Sequence, residues 1–274
     1  MRLLFLGDVV GRSGRDAVTD RLAGLVDKHR FDFVVINGEN ASHGRGLTEG
    51  HFNDLKAAGA DVVTLGDHAF DQRDTLSYIA REPTLLRPIN LPTGTPGRGA
   101  NLYESRAGHR VLVINAQGRV FMEPIDDPFR AVEAAVAACP LGEQADAILL
   151  DFHTEATSEI QAMGHFLDGK VSLVVGTHTH IPTSDHRILR GGTALMADAG
   201  MCGDYDSVIG VDVEEPLNRF LTGLASGRFT PAEGEATLSG IAIETDPRTG
   251  LVTYLSPVRV GGSLAQAEPA FGSA

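Results

Sequence analysis

The chain has 274 residues, 42% of them hydrophobic and 22% charged, the ordinary composition of one globular domain with elaborations. Its 36 acids against 23 bases leave a net charge of −13, and no cluster of Lys and Arg stands out. That balance argues against a dedicated DNA- or RNA-binding module, while a small nucleotide entering a cation-lined cleft stays compatible with it.

No run of about 20 apolar residues occurs, so no membrane span is expected. The N-terminal apolar run is too short for a signal peptide and ends in an acid, which makes the cytoplasm the expected location. Cys139 and Cys202 are too few for a disulfide framework and read as reduced thiols.

In chain order, residues 3–6 form a first strand. Ser13 is placed to cap a helix carrying Val18, Leu22, Leu25 and Val26 on one face, with Asp16 three residues after the cap. Residues 33–36 form a second strand, Thr48 caps a helix through Phe52 and Leu55, and residues 62–65 form a third strand with a helix around 74–80 after it. Such alternation means parallel strands joined by crossover helices.

Residues 88–99 hold three prolines and three glycines and form a loop at the seam between two halves. Strands resume at 111–115, and Pro128 suits the first turn of a helix to about Ala138. Residues 147–152 and 173–175 are almost wholly apolar, as strands buried on both faces are, and 193–197 is another. Residues 237–244 and 252–260 bracket Asp246-Pro247-Arg248-Thr249-Gly250 as an antiparallel hairpin. Residues 1–262 are expected to make a single domain, with 263–274 a frayed tail.

Metal-competent residues gather where these strands end, the place where open α/β sheets bind ligands. Asp8 follows the first strand, Glu39 and Asn40 the second, Asp67 and His68 the third. His153 ends the strand at 147–152, and His178 and His180 end the next in Gly176-Thr177-His178-Thr179-His180. Singly, each has an ordinary reading: Asp8 as a turn former, Glu39 as a solvated loop acid, His153 as a packed histidine. Five strand ends delivering such groups to one sheet edge shift the weight to a common site. Carboxylate with imidazole suits Zn, Fe or Mn and disfavours Ca. A pair of ions about 3.5–4 Å apart needs a bridging carboxylate and several terminal ligands, which these residues can supply. His43 and His186 lie near the same loops and stay open. Gly7-Asp8-Val9-Val10-Gly11 lacks dinucleotide and P-loop spacing and reads as a tight turn.

These segments resemble the calcineurin-like metallophosphoesterase superfamily and, more narrowly, the YmdB-like bacterial phosphodiesterases. The matching stretches are Gly7-Asp8-Val9-Val10-Gly11, Ile36-Asn37-Gly38-Glu39-Asn40-Ala41, Asp151-Phe152-His153, Glu155-Ala156-Thr157-Ser158-Glu159 and Gly176-Thr177-His178-Thr179-His180. With Arg87-Pro88 and Asp126-Asp127-Pro128-Phe129 they cover nearly the whole chain. The resemblance implies a four-layer α/β/β/α sandwich of two mixed sheets. It implies a dinuclear iron or manganese site, zinc being the alternative, with one ion on Asp8, Glu39, Asn40 and His180. The second would sit on Glu39, Asp67, His153 and His178, Glu39 bridging the two, with His68 as proton donor. The implied reaction is hydrolysis of phosphodiesters such as 2′,3′-cyclic or 3′,5′-cyclic nucleotides.

Two positions depart from the wider pattern: Val10 replaces a histidine, for which Asn40 substitutes, and Asp67 replaces an asparagine. A phosphomonoesterase of the same superfamily, or a metal-bound regulatory protein with weak activity, are the rival readings. The small substrate is the expected partner, without stable DNA or RNA binding and with homo-oligomerisation left open.

Overall fold

The computed structural model of the chain describes residues 1–272. The first half runs β1 (Arg2–Leu6), α1 (Gly11–His29), β2 (Phe33–Asn37), α2 (Glu49–Ala58), β3 (Val62–Thr64), α3 (Thr75–Tyr78) and β4 (Leu85–Leu86). The second runs β5 (Ala100–Glu104), β6 (Arg110–Gln117), α4 (Pro128–Ala138), β7 (Ala147–His153), α5 (Thr157–Leu167), β8 (Leu173–Thr177), β9 (Arg187–Ile188) and β10 (Ala194–Met196). β11 (Gly203–Asp204), α6 (Glu214–Thr222), β12 (Ala236–Thr245) and β13 (Val252–Val260) complete it.

Two mixed sheets result. One has the order β11-β12-β1-β2-β3-β4, with β13 also paired to β12; the other has the order β5-β6-β7-β8-β10-β9. The strands β1 to β4 are mutually parallel, as are β6, β7, β8 and β10, so within each sheet these strand ends lie together. The prolines and glycines of residues 88–99 span the passage from the first sheet to the second.

Strand periodicity explains the layering. Leu3 and Phe5 of β1 face the second sheet and pack with Val111, Val113, Leu149 and Val175. Leu4 and Leu6 face the other way, onto Val18 and Leu22 of α1 and Leu55 of α2. The outer face of the second sheet, with Ile148, Leu150 and Val174, covers Val132 of α4 and Ile160 and Met163 of α5. Three apolar layers therefore separate helices, sheet, sheet and helices, the four-layer α/β/β/α sandwich that the family resemblance implied. Both faces of each central strand are buried, which is why their sequences are apolar without polar alternation. Truncating a wholly buried side chain such as Phe5 would cost about 3–5 kcal/mol.

Three local expectations change. Helix α1 begins at Gly11 with Val10 at its cap, and Ser13 is inside it, its hydroxyl donating to the Ala232 carbonyl at 3.1 Å. Thr48 does cap α2, accepting from the His51 backbone N–H, and Asp127 caps α4. The helix expected around 74–80 shortens to the four residues of α3. Part of the expected frayed tail is packed: Glu268 pairs with Lys28 and His29, and the Phe271 ring lies under the Arg2 guanidinium and beside Phe31. Residues 273–274 of that tail lie outside the described residues.

Candidate metal centre

The strand-end residues come from two sheets, not one edge. Asp8, Glu39 and Asp67 follow β1, β2 and β3 of the first sheet, and His153 and His178 end β7 and follow β8 of the second. The centre therefore straddles the seam between the sheets. Ligand atoms of Glu39, Asp67, His153 and His178 all lie within 4.8 Å of one another. His153 Nε2 stands 3.1 Å from Glu39 Oε1, 2.9 Å from Asp67 Oδ1 and 3.1 Å from His178 Nδ1. The backbone makes room for this crowding: a Cβ on Gly66 would stand 2.1 Å from Glu39 Oε2 and 2.4 Å from His153 Nε2. The other predicted ligands sit alongside. His180 Nε2 is 3.3 Å from Asn40 Oδ1, and Asp8 Oδ2 accepts from the His178 backbone N–H at 3.2 Å. His178 and His180 hold left-handed φ of 107° and 68°, a backbone strain that turns both rings from one short loop.

Charge compensation is incomplete in a way that suits cations. Asp8, Glu39, Asp151 and Asp198 are all buried, and the ion-pair partners of Asp8, Glu39 and Asp67 here are histidines. Burial pushes the Asp8 carboxyl up to about 7, with Glu39 and Asp151 adding to it against His153. Burial likewise lifts Asp198 to about 7, with Asp8 adding. Burial also pushes Glu39 up, but the charge and close contact of His153, with the His68 charge, together outweigh it and the net direction is down. Asp67, burial notwithstanding, is held below the usual carboxylate range by contacts with His153 and His178. Burial lowers His153, yet the surrounding carboxylates, Glu39 first, raise it well above its ordinary value.

Two buried carboxylate oxygens, Asp8 Oδ1 and Glu39 Oε1, have no hydrogen-bond partner. The ion-pair partner of each is the His153 ring, 3.1 Å from Glu39 Oε1 and 3.9 Å from Asp8 Oδ1. Buried anionic oxygens without a hydrogen bond are costly, and a bound cation is the group that satisfies them. The donor set fits a metal pair on this ground.

A second set of contacts orients the rings. Thr177 Oγ1 donates to Asp151 Oδ1 at 2.7 Å and lies 2.9 Å from His153 Nδ1. With its one proton committed to Asp151, the hydroxyl accepts from Nδ1–H, and Nε2 faces the cluster. His180 Nδ1 lies 2.7 Å from the Ile209 carbonyl, and His178 Nε2 lies 3.3 Å from Glu155 Oε2. Asn40 donates its amide to the Gly44 carbonyl, which leaves Oδ1 toward His180. Outer partners of this kind are what metal-bound histidines use to fix tautomer and orientation.

Asp151 does more than orient a ring. It accepts from Thr64 Oγ1 at 2.5 Å and from Asn37 Nδ2 at 2.9 Å, both on the first sheet, and so joins the two sheets beneath the centre. Asp151, Thr177, Glu155 and Ile209 support the candidate ligands, and none of them is given a role by the sequence motifs. For Asp151 the signal was present: an acid inside an apolar strand, two residues before His153 and hence on the same face.

His68 lies at the rim, a fifth exposed, with Nδ1 3.1 Å from Asp71 Oδ2 and Nε2 3.8 Å from Asp67 Oδ2. His43 lines a cavity next to Asn40, outside the cluster.

The family described as YmdB-like protein matches residues 4–258. The chain belongs to the YmdB-like family. Among relatives of this YmdB-like chain, a 2′,3′-cyclic-nucleotide 2′-phosphodiesterase of Bacillus subtilis is 47% identical over 249 residues, 91% of this chain and 93% of the relative. A crystal structure of a hypothetical protein from Thermus thermophilus superposes with a TM-score of 0.88 at 41% identity, over 96% of this chain and all of the other. A crystal structure of a phosphatase from Mycoplasma pneumoniae gives 0.88 at 33% identity, over 98% and 95%.

Proposed function

We propose that the chain is a dinuclear-metal phosphodiesterase acting on small cyclic nucleotides, 2′,3′-cyclic or 3′,5′-cyclic. The observation that carries this reading is the convergence of Glu39, Asp67, His153 and His178 within 4.8 Å, with buried Asp8 and Glu39 oxygens that make no hydrogen bond. The activity in the name of the Bacillus subtilis relative supports the substrate class. Asp8, Glu39, Asn40 and His180 would hold one ion, and Glu39, Asp67, His153 and His178 the other, Glu39 bridging. Carboxylate and imidazole donors suit iron, manganese or zinc, and the resemblance to the metallophosphoesterases puts iron or manganese first. The ions would supply charge neutralisation on phosphate oxygens and a water of lowered pKa.

The residues do the rest. Asp71 orients His68 through Nδ1, which leaves Nε2 to face the substrate. As water adds to phosphorus, the bond to the ribose oxygen breaks and the His68 Nε2 proton passes to that oxygen, giving the nucleoside monophosphate. Cys139 and Cys202 are both free thiols, in keeping with a cytoplasmic enzyme. No helix among the described residues is long and apolar enough to cross a membrane.

Elemental analysis of protein purified without chelator, joined to turnover assays, tests the reading. Two transition-metal ions per chain and preference for cyclic nucleotides and bis-p-nitrophenyl phosphate over p-nitrophenyl phosphate are expected. Absence of Fe, Mn and Zn after reconstitution sinks the metal assignment. Preference for the monoester makes the chain a phosphomonoesterase instead.

A further inference from the structure

Beside the centre lies a cavity of about 210 Å³. Asn40, His68 and His180 line it together with the apolar side chains of Val10, Ile209 and Phe229, which can hold no ion. The geometry points to this cavity as the subsite for the substrate's nucleobase, with Phe229 as its stacking platform. The inference rests on the phosphodiesterase reading and gives it a specificity determinant.

Reaction chemistry fixes the side. The bond that breaks in a cyclic nucleotide joins phosphorus to a ribose oxygen, so the proton donor must face the ribose. His68 lines the cavity, and the nucleoside therefore projects into it while the phosphate lies over the donor cluster. Size fixes how much enters: whole drug-sized ligands occupy roughly 300–1,000 Å³, so this cavity takes a single ring system and leaves no room for a second nucleotide.

The wall has the matching character. Phe229 is 45% exposed, and the Arg219 guanidinium covers it 4.0 Å from the centroid. Arg219 is not part of the cavity wall, so it braces the ring while the ring itself meets the ligand. Aromatic faces of this kind bind bases of any identity through their π-systems. Ile209, 49% exposed and held at a left-handed φ of 48°, lines the same wall. A β-branched residue in that conformation is strained, and here its carbonyl also receives His180 Nδ1. One residue thus ties the base wall to a ligand ring. Arg45, exposed, is the single Lys or Arg on the cavity wall among the described residues and draws the anionic substrate to an otherwise acidic chain.

The test compares 2′,3′-cyclic AMP with glycerol 1,2-cyclic phosphate, which keeps the strained cyclic diester and lacks the base. Wild-type, Phe229→Ala and Phe229→Trp holoenzymes are assayed for kcat and KM, with metal content measured in parallel. Wild type should favour the nucleotide. Phe229→Ala should lose roughly 5- to 150-fold in kcat/KM on the nucleotide, chiefly through KM, with a much smaller loss on the glycerol diester. Phe229→Trp should restore the preference, which a merely structural ring would not do. Equal losses on both substrates at full metal content, or a wild-type enzyme indifferent to the base, overturn the subsite alone. No turnover by the wild-type holoenzyme of these two diesters, of 3′,5′-cyclic AMP or of bis-p-nitrophenyl phosphate removes the phosphodiesterase reading itself, and the subsite with it.

Discussion

Around His153 the donor atoms crowd: its Nε2 has Glu39, Asp67 and His178 atoms within 3.1 Å, and a hydroxyl and a buried acid brace its other nitrogen. Around His180 they spread. Its Nε2 is 3.3 Å from Asn40 Oδ1, and its support is one carbonyl from a strained loop residue. The crowded half is assembled from strand ends of both sheets, bolted by Asp151. The spread half draws on Asn40 and Ile209, which sit in loops. Pre-organisation thus differs across one centre: the first half is fixed by the sandwich, the second by loops that also line the substrate cavity.

The largest effect should come from the residue shared between the halves. Glu39→Gln replaces a bridging carboxylate by an amide, which holds two cations poorly. Metal content should fall from two ions per chain to below one, and activity by on the order of 10³-fold or more. Two retained ions and full activity in elemental analysis and diester assays would refute the bridge.

Next in size is His68, which belongs to neither half as a ligand. His68→Ala should cost about 10²–10⁴-fold on a nucleotide diester with both ions retained. The loss should shrink on bis-p-nitrophenyl phosphate, whose p-nitrophenolate departs without a proton. Equal losses on the two substrates, or lost metal, would count against proton donation.

A smaller change isolates the brace of the crowded half. Thr177→Val removes the hydroxyl between His153 Nδ1 and Asp151 while keeping the side chain's volume. The ion on the His153 side should bind about 10–100-fold more weakly, the usual cost of losing an outer-shell partner, and the other ion should be unchanged. Thr177→Ser should restore the affinity. Metal titration of the apoprotein reads this directly, and equal weakening of both ions would mean that the brace does not distinguish the halves.

How much of this was legible in the sequence follows the same division. The strand-end ligands stood out because parallel strands deliver their carboxyl ends together, and Asp8, Glu39, Asp67, His153 and His178 each follow an apolar run that could only be a buried strand. What joins them is not local. Leu6 pairs with Gly240, and Asp151 reaches Thr64 and Asn37, across separations that periodicity cannot see. Hence one sheet edge was expected where two sheets meet. Ser13 failed for the same reason: its partner is Ala232, more than two hundred residues away, and a tertiary contact overrode a good local cap. The cavity wall was least legible, since Ile209 and Phe229 sit in segments with no period at all.

The mildest prediction concerns the ligand position where the chain departs from the wider pattern. Asp67 Oδ1 is the atom that meets His153 and His178, while Oδ2 points to the rim, 3.8 Å from His68 Nε2. Only one oxygen therefore faces the crowded half, and an asparagine oxygen could take its place. Asp67→Asn should keep both ions and stay within about tenfold of wild type, because a ligand atom is retained and one unit of negative charge is removed. That charge is the informative part. Its removal leaves the remaining donors less anionic, so affinity for the divalent ion should fall modestly, and a coordinated water should become more acidic. Asp67→Ala, which removes the oxygen, should instead lose the ion of the crowded half and leave that of the spread half in place. Metal content and rate measured on the two variants side by side give the outcome. Wild-type metal content and rate in Asp67→Ala would remove Asp67 from the ligand set. Loss of both ions would show that the two halves are not built independently.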